Sequence, residues 1–442
     1  MSLQLLALRP RRVWSRLRRL GAWGSLGQIA LAGSGFLVSA VVARAGGPAA
    51  LGVFVLVQGF PLIVGGLFKA AFGDPLVIEA HGRGRLDGLA VVPAVLLGHL
   101  GIGLLAALAW RLTGGRVLGL PAPNEGELLL AFLLPLAGFQ EFARSVRLAG
   151  AGERYLCAGD VLVALARTAA LVIGARRLSG VELGLAALGA GGLASVLTVV
   201  RQLRLPGGLA HLPRLWRLGR WLVGESLLFG LANYGVWSLV VSRAGPGVAG
   251  GVRAGQQLFM PIQTVLIGLN TVLLGRFAGF REGQEDAGPV LGYLQVGLTG
   301  AWGVLLMALG PHATSLVFGP AFQLPRRDLA VLTAALIMTT VFQLAAVRLR
   351  AAGQVRPLMV ARAAAGAVTF GGAALIGASV TGVAASLLAG ALVGVRLARG
   401  RHGRSWGPPI LLRKLAGCRP RLREAAPEPA RPSERGALER SP

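Results

Sequence analysis

Long apolar runs separated by short polar segments extend over most of the chain. Each run approaches the roughly 20 residues that a helix needs to cross a bilayer. Most of the connections between them are too short to hold a separate domain. The pattern therefore predicts an all-α integral membrane protein with twelve transmembrane helices, near residues 22–43, 49–70, 89–110, 127–147, 155–175, 181–201, 221–242, 249–274, 289–310, 328–347, 357–377 and 380–398.

The distribution of basic residues predicts the orientation of these spans. Cytoplasmic loops of membrane proteins carry an excess of Lys and Arg. With the N-terminus inside, 33 of the 45 basic residues fall on the cytoplasmic side and 8 fall outside. We therefore expect both termini in the cytoplasm. The remaining four basic residues lie within spans and are Lys69, Arg167, Arg253 and Arg362.

The composition agrees with a membrane protein. Of the 442 residues, 54% are hydrophobic and 14% are charged, against roughly 25% charged residues in a typical soluble domain. The net charge is +27, but no basic stripe with interleaved aromatic residues is present. We therefore expect anionic lipid, and not nucleic acid, as the partner of this charge. The scattered His residues and the two cysteines predict no metal site, cofactor or disulfide.

Two terminal segments flank the spans. Residues 1–21 form a basic N-terminal segment, which would be either an amphipathic helix on the membrane surface or a simple topogenic charge cluster. The apolar run at 22–43 is too long for the hydrophobic region of a signal peptide, so we expect an uncleaved first span. Residues 399–442 are rich in Pro, Arg and Glu and predict a disordered cytoplasmic tail.

The chain contains an internal repeat. Residues 39–60 align without gaps with residues 238–259, with 11 identities in 22 positions, and this alignment places Arg253 opposite Phe54. The offset is six spans, an even number, so both copies cross the membrane in the same direction. We therefore expect an N-lobe at 22–203, a linker at 204–220 and a C-lobe at 221–398. Two such lobes would face each other across a central cavity.

Several short motifs carry a resemblance to a known superfamily. They are Ala43-Arg44-Ala45-Gly46-Gly47-Pro48, Gly73-Asp74-Pro75, Gly251-Val252-Arg253-Ala254-Gly255-Gln256 before Pro261, and Phe318-Gly319-Pro320-Ala321-Phe322. In their order and spacing, the chain resembles the multidrug/oligosaccharidyl-lipid/polysaccharide exporter superfamily. Within it, the chain is most similar to the polysaccharide-biosynthesis membrane proteins, the O-antigen-type lipid-linked oligosaccharide flippases. The resemblance implies two six-helix bundles that move a polyprenyl-pyrophosphate-linked glycan from the inner to the outer leaflet.

Polar residues within the spans are the candidates for binding the cargo. A charged residue at the bilayer centre costs about 2.5–3.5 kcal/mol on insertion scales, so it usually faces a cavity or a partner helix. Arg suits pyrophosphate because its planar fork makes bidentate contacts. Each residue could instead serve a structural ion pair or a hydrogen bond between helices. The candidate cavity residues are Arg253, Arg167, Arg362, Asp160, Gln257 and Asn233.

Two carboxylates are candidates for ion coupling. Glu225 and Asp160 lie within predicted spans and could couple transport to protons, although Glu225 could also pair with the nearby Arg217 and Arg220. Asp160 and Arg362 occupy equivalent repeat positions with opposite charge. We therefore expect these two residues to pair, or to lie opposed, when the inner side is closed.

The sequence leaves other functions open. A cation-coupled exporter of small molecules would need deep carboxylates, in which this chain is poor. A membrane-embedded glycan polymerase or ligase would need a large outer loop with catalytic residues, and neither 111–126 nor 311–327 carries a convincing cluster. We expect a monomeric transporter, not an enzyme, that binds membrane lipids and a lipid-linked anionic glycan, with glycan-assembly enzymes as further partners. A membrane partner of such enzymes that does not itself transport also stays open.

Overall fold

The structure is a computed structural model, and it describes residues 10–83, 87–113, 125–204, 208–266, 288–351, 355–377 and 379–399. Within these ranges the backbone is helical apart from short turns, and no strand is present. The described residues after Pro10 belong to one compact unit. Residues 1–9 of the predicted N-terminal segment 1–21, and all but the first residue of the predicted tail, lie outside the described residues.

Besides a helical stretch at 260–266, thirteen α-helices are defined in the described ranges. They are α1 (Pro10–Phe68), α2 (Asp74–Arg83), α3 (Val92–Thr113), α4 (Glu125–Ala151), α5 (Glu153–Gly174), α6 (Gly180–Leu197), α7 (Gly208–Ala244), α8 (Pro246–Leu258), α9 (Gly288–Leu309), α10 (Pro311–Phe318), α11 (Arg326–Ala351), α12 (Val355–Ile376) and α13 (Val380–Arg399).

The predicted spans fall on these helices. Nine helical stretches among the described residues are long and apolar enough to cross a membrane, and the first, Leu26–Ala80, has 55 residues. Predicted span four falls on α4, and predicted span eight falls on α8 and the helical residues after it. Neither stretch is among the nine. Span six was predicted too long, because α6 ends at Leu197 and the chain turns there. Residues 267–274 of span eight lie outside the described ranges.

Helix α1 contains the first two predicted spans and breaks between them. Gly47 has a φ of 73° and a ψ of −169°, and Pro48 follows. A positive φ strains residues with a Cβ, whereas Gly adopts it freely. We call the residues of α1 before Gly47 its first arm and those after Gly47 its second arm. A matching turn at Gly245, with a φ of 84°, precedes Pro246 and separates α7 from α8.

A second break interrupts span eight. Helix α8 ends at Leu258, and helical backbone resumes at Met260. Pro261 accounts for the break because it has no N–H to donate to the carbonyl four residues earlier. The indole Nε1 of Trp302 donates to the carbonyl oxygen of Leu258 at 2.8 Å and satisfies that oxygen.

The two Gly-Pro turns cross each other with near-twofold symmetry. A Cβ added to Gly52 would lie 1.9 Å from the carbonyl oxygen of Pro246, and one added to Gly250 would lie 1.9 Å from that of Pro48. Only glycine permits such a backbone approach, as at other close helix crossings in membranes. We call this end of the molecule the turn end; it is the side predicted to face outward.

This symmetry corrects the predicted repeat alignment. The reciprocal contacts pair Gly52 with Gly250 and Pro48 with Pro246, so the offset after the turn is one residue less than the ungapped alignment assumed. The first copy has an additional glycine at its turn. Arg253 therefore corresponds to Val55, and the predicted correspondence of Arg253 with Phe54 is wrong.

Helices within each half of the chain pack on each other. In the first half α4 contacts α3, α5 and α6; in the second half α12 contacts α7 and α13, and α11 contacts α9 and α13. The second arm of α1 also packs along α7, where a Cβ added to Gly59 would lie 2.7 Å from the ring of Tyr234. Near the turn end, one apolar core includes buried residues of both halves, among them Phe54 and Phe318. The predicted lobe boundaries stay predictions.

Candidate functional site

A cavity of about 340 Å³ lies within the second half of the chain. Residues of α7, α8, the helical stretch after α8, α11, α12 and α13 form its walls. Its polar lining consists of two arginines with amide and hydroxyl groups, namely Arg253, Arg362, Asn233, Gln256, Gln263, Thr339, Gln343 and Thr369. The predicted central cavity between two lobes is a different location and stays a prediction.

Arg253 lies on the α8 wall of the cavity and is held by a neutral amide. The side-chain oxygen of Gln257, in the orientation that satisfies its neighbours, accepts from Arg253 Nε at 3.2 Å and Nη2 at 3.0 Å. The same oxygen lies 3.0 Å from the hydroxyl of Ser39 on the first arm of α1. Gln257 is buried and does not line the cavity. It therefore positions Arg253 and connects α8 to the first half.

Arg362 reaches the cavity from α12 and is paired with a carboxylate. Its Nε lies 2.7 Å from Oε1 of Glu225 on α7, and the two side chains are only 6% and 4% exposed. The guanidinium carbon lies 4.8 Å from the ring centre of Phe229 and 5.9 Å from that of Phe342. Aromatic faces attract such a cation. Glu225 does not line the cavity.

Asn233 lies on the α7 wall as a cavity-lining residue. Several other lining amides and hydroxyls had not been singled out from the sequence. On and after α8, Arg253, Gln256, Met260 and Gln263 recur at the spacing of one helical face. That periodicity would have identified Gln256 and Gln263 as neighbours of Arg253.

Asp160 lies within the first half and is fully buried. It accepts from Arg147 Nη2 at 2.8 Å and from Arg144 Nε at 3.2 Å. Glu141 continues this network, 4.0 Å from Arg144 and 3.4 Å from Lys69. Asp160 is therefore a partner of two α4 arginines and not a residue of the cavity in the second half.

Arg167 also lies in the packed interior of the first half. Its Nη2 donates to Oε1 of Gln140 at 2.7 Å, and its Nη1 donates to the hydroxyl of Ser34 at 3.5 Å. A Cβ added to Gly191 on α6 would lie 2.7 Å from Arg167 Nε. The side chain of Arg167 thus fills space next to α6 that is available because residue 191 is glycine.

The structure does not bring Asp160 and Arg362 together. Asp160 pairs with arginines of α4, whereas Arg362 pairs with Glu225 of α7. The ion pairs of Asp160 lie in the first half of the chain, and the ion pair of Arg362 lies in the second half. The predicted pairing across the two halves is therefore not present in this structure.

Residues that could ligate a metal ion do not cluster in the described ranges. No group of three or more His, Cys, Asp or Glu side chains is arranged to hold one there. The described residues that line the cavity supply two guanidinium groups, several amides and hydroxyls, and apolar side chains.

The fold and the cavity define a polytopic α-helical membrane protein with a cavity of mixed polar and apolar lining between its helices. No protein-family model matches the chain, and no curated protein matches its sequence. Solved structures do match its fold. An inward-facing multidrug resistance MATE family transporter of the MOP superfamily has a TM-score of 0.63 and 15% identity, over 85% of this chain and 94% of that one.

Two further structures show the same fold. The lipid II flippase MurJ, in an inward closed conformation, has a TM-score of 0.67 and 13% identity, over 86% of this chain and 87% of that one. A MOP-superfamily transporter from Pyrococcus furiosus has a TM-score of 0.58 and 14% identity, over 88% and 97% of the two chains. The chain therefore has the twelve-helix fold of the MOP-superfamily transporters, and the predicted all-α membrane fold is confirmed.

Proposed function

We propose that the chain is a transporter that moves a polyprenyl-pyrophosphate-linked oligosaccharide, or a related polysaccharide precursor, across the cytoplasmic membrane by alternating access. One observation carries the proposal: two arginines and several amide and hydroxyl groups line one cavity in a fold shared with a lipid II flippase. Guanidinium groups match phosphate oxygens in geometry and charge. Amides and hydroxyls are the groups that hydrogen-bond sugars.

The cargo would use both the cavity and the surrounding lipid. Its pyrophosphate would bind Arg253 and Arg362, and its sugars would bind residues such as Asn233 and Gln263. Its polyprenyl tail would stay in the bilayer. Large apolar side chains on the outside of the helices, such as Leu375 with 86% exposure, fit contact with lipid.

The orientation and partners complete the proposal. The excess of basic residues on one side supports an orientation with both termini in the cytoplasm, and the proposed membrane is a bacterial inner membrane. Anionic lipids would contact these residues, glycan-assembly enzymes would supply the cargo, and one copy of the chain would suffice. No nucleic acid, cofactor or chemical reaction is part of this proposal.

Two alternatives make different demands on the cavity. A cation-coupled exporter of small molecules fits the MATE-like fold, but a cationic drug would meet two arginines in this cavity. A glycan polymerase or ligase would need catalytic groups, and the described residues that line the cavity include no carboxylate, histidine or cysteine. Both observations favour transport of an anionic cargo.

Reconstituted transport tests the proposal directly. Purified protein is placed in vesicles with a fluorescent prenyl-pyrophosphate-linked sugar, and transfer between leaflets is measured by quenching of the outer leaflet. Wild type should transfer the lipid, and Arg253→Gln should reduce the rate by about tenfold or more, since a hydrogen bond to a charged group contributes about 1.5–3 kcal/mol. Arg327→Gln is the matched control, because the side chain of Arg327 is 79% exposed.

Two sets of results would contradict the proposed transport. Transfer no faster than in empty vesicles, together with export of a cationic dye, would support the small-molecule exporter. In cells, deletion of the gene should leave a lipid-linked glycan on the inner leaflet. Unchanged export of every surface glycan would contradict the proposal.

A further inference from the structure

Glu225 introduces a negative charge immediately behind the cavity wall. Its carboxylate contacts Arg362, which lines the cavity, but Glu225 itself does not. How the Glu225–Arg362 ion pair responds to an anionic cargo is an inference that rests on the proposed function.

The two cavity arginines differ in what holds them. Arg253 is held by the neutral amide of Gln257, so no carboxylate balances its charge within 4.0 Å among the described residues. Arg362 is balanced by Glu225 at 2.7 Å. Arg253 is therefore available to an anionic ligand, whereas Arg362 already has an anionic partner in Glu225.

The aromatic contacts of Arg362 bear on whether the carboxylate can be exchanged. Phe229 of α7 and Phe342 of α11 contact the guanidinium. A guanidinium has five N–H donors in a rigid fork, more than one carboxylate can use. The two rings support the position of Arg362 independently of Glu225. Phosphate oxygens could therefore replace the carboxylate while Arg362 stays on the cavity wall.

The charge of the cargo decides which arginines it needs. A pyrophosphate joined to a prenyl chain at one end and a sugar at the other carries two negative charges near neutral pH. A monophosphate with the same two substituents carries one. Arg253 alone balances the monophosphate, whereas the pyrophosphate also requires Arg362.

We propose that Glu225 is an internal counter-ion of Arg362, which the second phosphate of the cargo displaces on binding. Glu225 then competes with the cargo and re-forms its ion pair when the cargo leaves. The ion pair lowers the affinity for pyrophosphate and speeds its release. A monophosphate binds at Arg253 and leaves the ion pair intact.

The matching experiment uses the full chain in lipid nanodiscs and two probes. One is a short prenyl-pyrophosphate-N-acetylglucosamine, and the other is the corresponding prenyl-monophosphate-N-acetylglucosamine. Binding of each probe is measured by calorimetry for wild type and Glu225→Gln. The variant should bind the pyrophosphate about tenfold more tightly or better, which corresponds to about 1.4 kcal/mol, and the monophosphate within about threefold of wild type.

Transport gives a second readout that a merely structural role would not move. Glu225→Gln should lower the half-saturating concentration of the pyrophosphate probe and also lower the maximal rate, because release becomes slower. Glu153→Gln removes one carboxylate from α5 in the first half and should change neither value. If Glu225→Gln does not fold, Glu225→Asp shortens the side chain and should give an intermediate gain in pyrophosphate affinity.

Three outcomes would overturn the inference. An equal gain for both probes would show a general change in charge without displacement. Weaker or unchanged pyrophosphate binding in a folded Glu225→Gln protein would show that Glu225 does not compete, while the proposed function would stand. Wild type that binds neither probe would contradict the proposed function and, with it, the inference.

Discussion

The crossing of the two Gly-Pro turns gives the sharpest structural prediction. Gly250→Ala would place a methyl group 1.9 Å from the carbonyl oxygen of Pro48, although Cβ atoms essentially never lie within 3.0 Å of another heavy atom. Backbone cannot rotate away as a long side chain can, so the turns must separate by about 1 Å. Overpacking of this kind costs typically about 1–3 kcal/mol.

Gly247→Ala is the matched control, because a Cβ at Gly247 meets nothing within 4 Å. In a helix, replacing glycine with alanine contributes up to about 1 kcal/mol of stability, so the control should be as stable as wild type or more stable. Gly250→Ala should instead lower the melting temperature by about 2–10 °C. Gly52→Ala should behave in the same way, since its contact with Pro246 is the symmetric one.

Thermal unfolding of these variants is measured through the reactivity of Cys157. This residue is one of two cysteines and is buried in α5, so a Cys418→Ser background leaves a single buried thiol. A dye that fluoresces on reaction with thiols then reports unfolding in detergent as temperature rises. Equal melting temperatures for the alanine variants of Gly250 and Gly247 would refute the close crossing and the corrected repeat register with it.

Three further perturbations test other parts of the structure. Asp160→Asn leaves two α4 arginines without their buried carboxylate and should destabilise the protein by about 3–5 kcal/mol in the same thermal assay; a melting temperature like that of wild type would contradict the ion pairs. Arg44→Gln removes donors to the carbonyl oxygens that end α10, and should increase protease cleavage in that region, whereas Arg327→Gln should not. Gly191→Ala should displace the side chain of Arg167 and lower stability by about 1–3 kcal/mol, and a neutral effect would show that the site accommodates a methyl group.

The sequence predicted the helices well because the physical signal is strong. A bilayer leaves few ways to satisfy backbone polar groups, so long apolar runs become helices. The break at Gly47 and Pro48 lies at the predicted boundary between the first two spans, where Gly adopts a positive φ and Pro has no N–H to donate. Hydropathy does not define where a helix ends near the interface, and span six was accordingly predicted beyond Leu197.

Counting identical residues does not give the correct alignment of the two repeat copies after the turn. Over positions 48–60 the ungapped register contains more identities than the structural one, largely from Ala, Gly and Val in a chain rich in these residues. The contact between backbones depends on glycine at two particular positions, and it selects the other register. Geometry at the turn is therefore a better guide to equivalent residues than identity here.

The candidate site was predicted in part. Arg253, Arg362 and Asn233 line the cavity, and each was named because polar residues are rare within spans. Depth in the membrane can be read from the sequence, but the direction in which a helix faces cannot. Arg167 and Asp160 lie within spans as well, yet their helix turns them into the packed interior of the first half.

The corrected register sharpens how the two copies differ. Val55 and Arg253 occupy equivalent positions, so the same helix face is apolar in the first copy and charged in the second. In the first half, the buried arginines Arg147 and Arg167 contact a carboxylate and an amide at close range, and Gly159 and Gly191 make room for them. Rigid packing of this kind leaves an anionic cargo little access. In the second half, Arg253 and Arg362 lie on the wall of a cavity of about 340 Å³, where an anionic cargo would reach them. Under the proposed function, the divergence of the repeat moves the recognition of charge into one half, and Glu225 competes with the cargo for part of that charge.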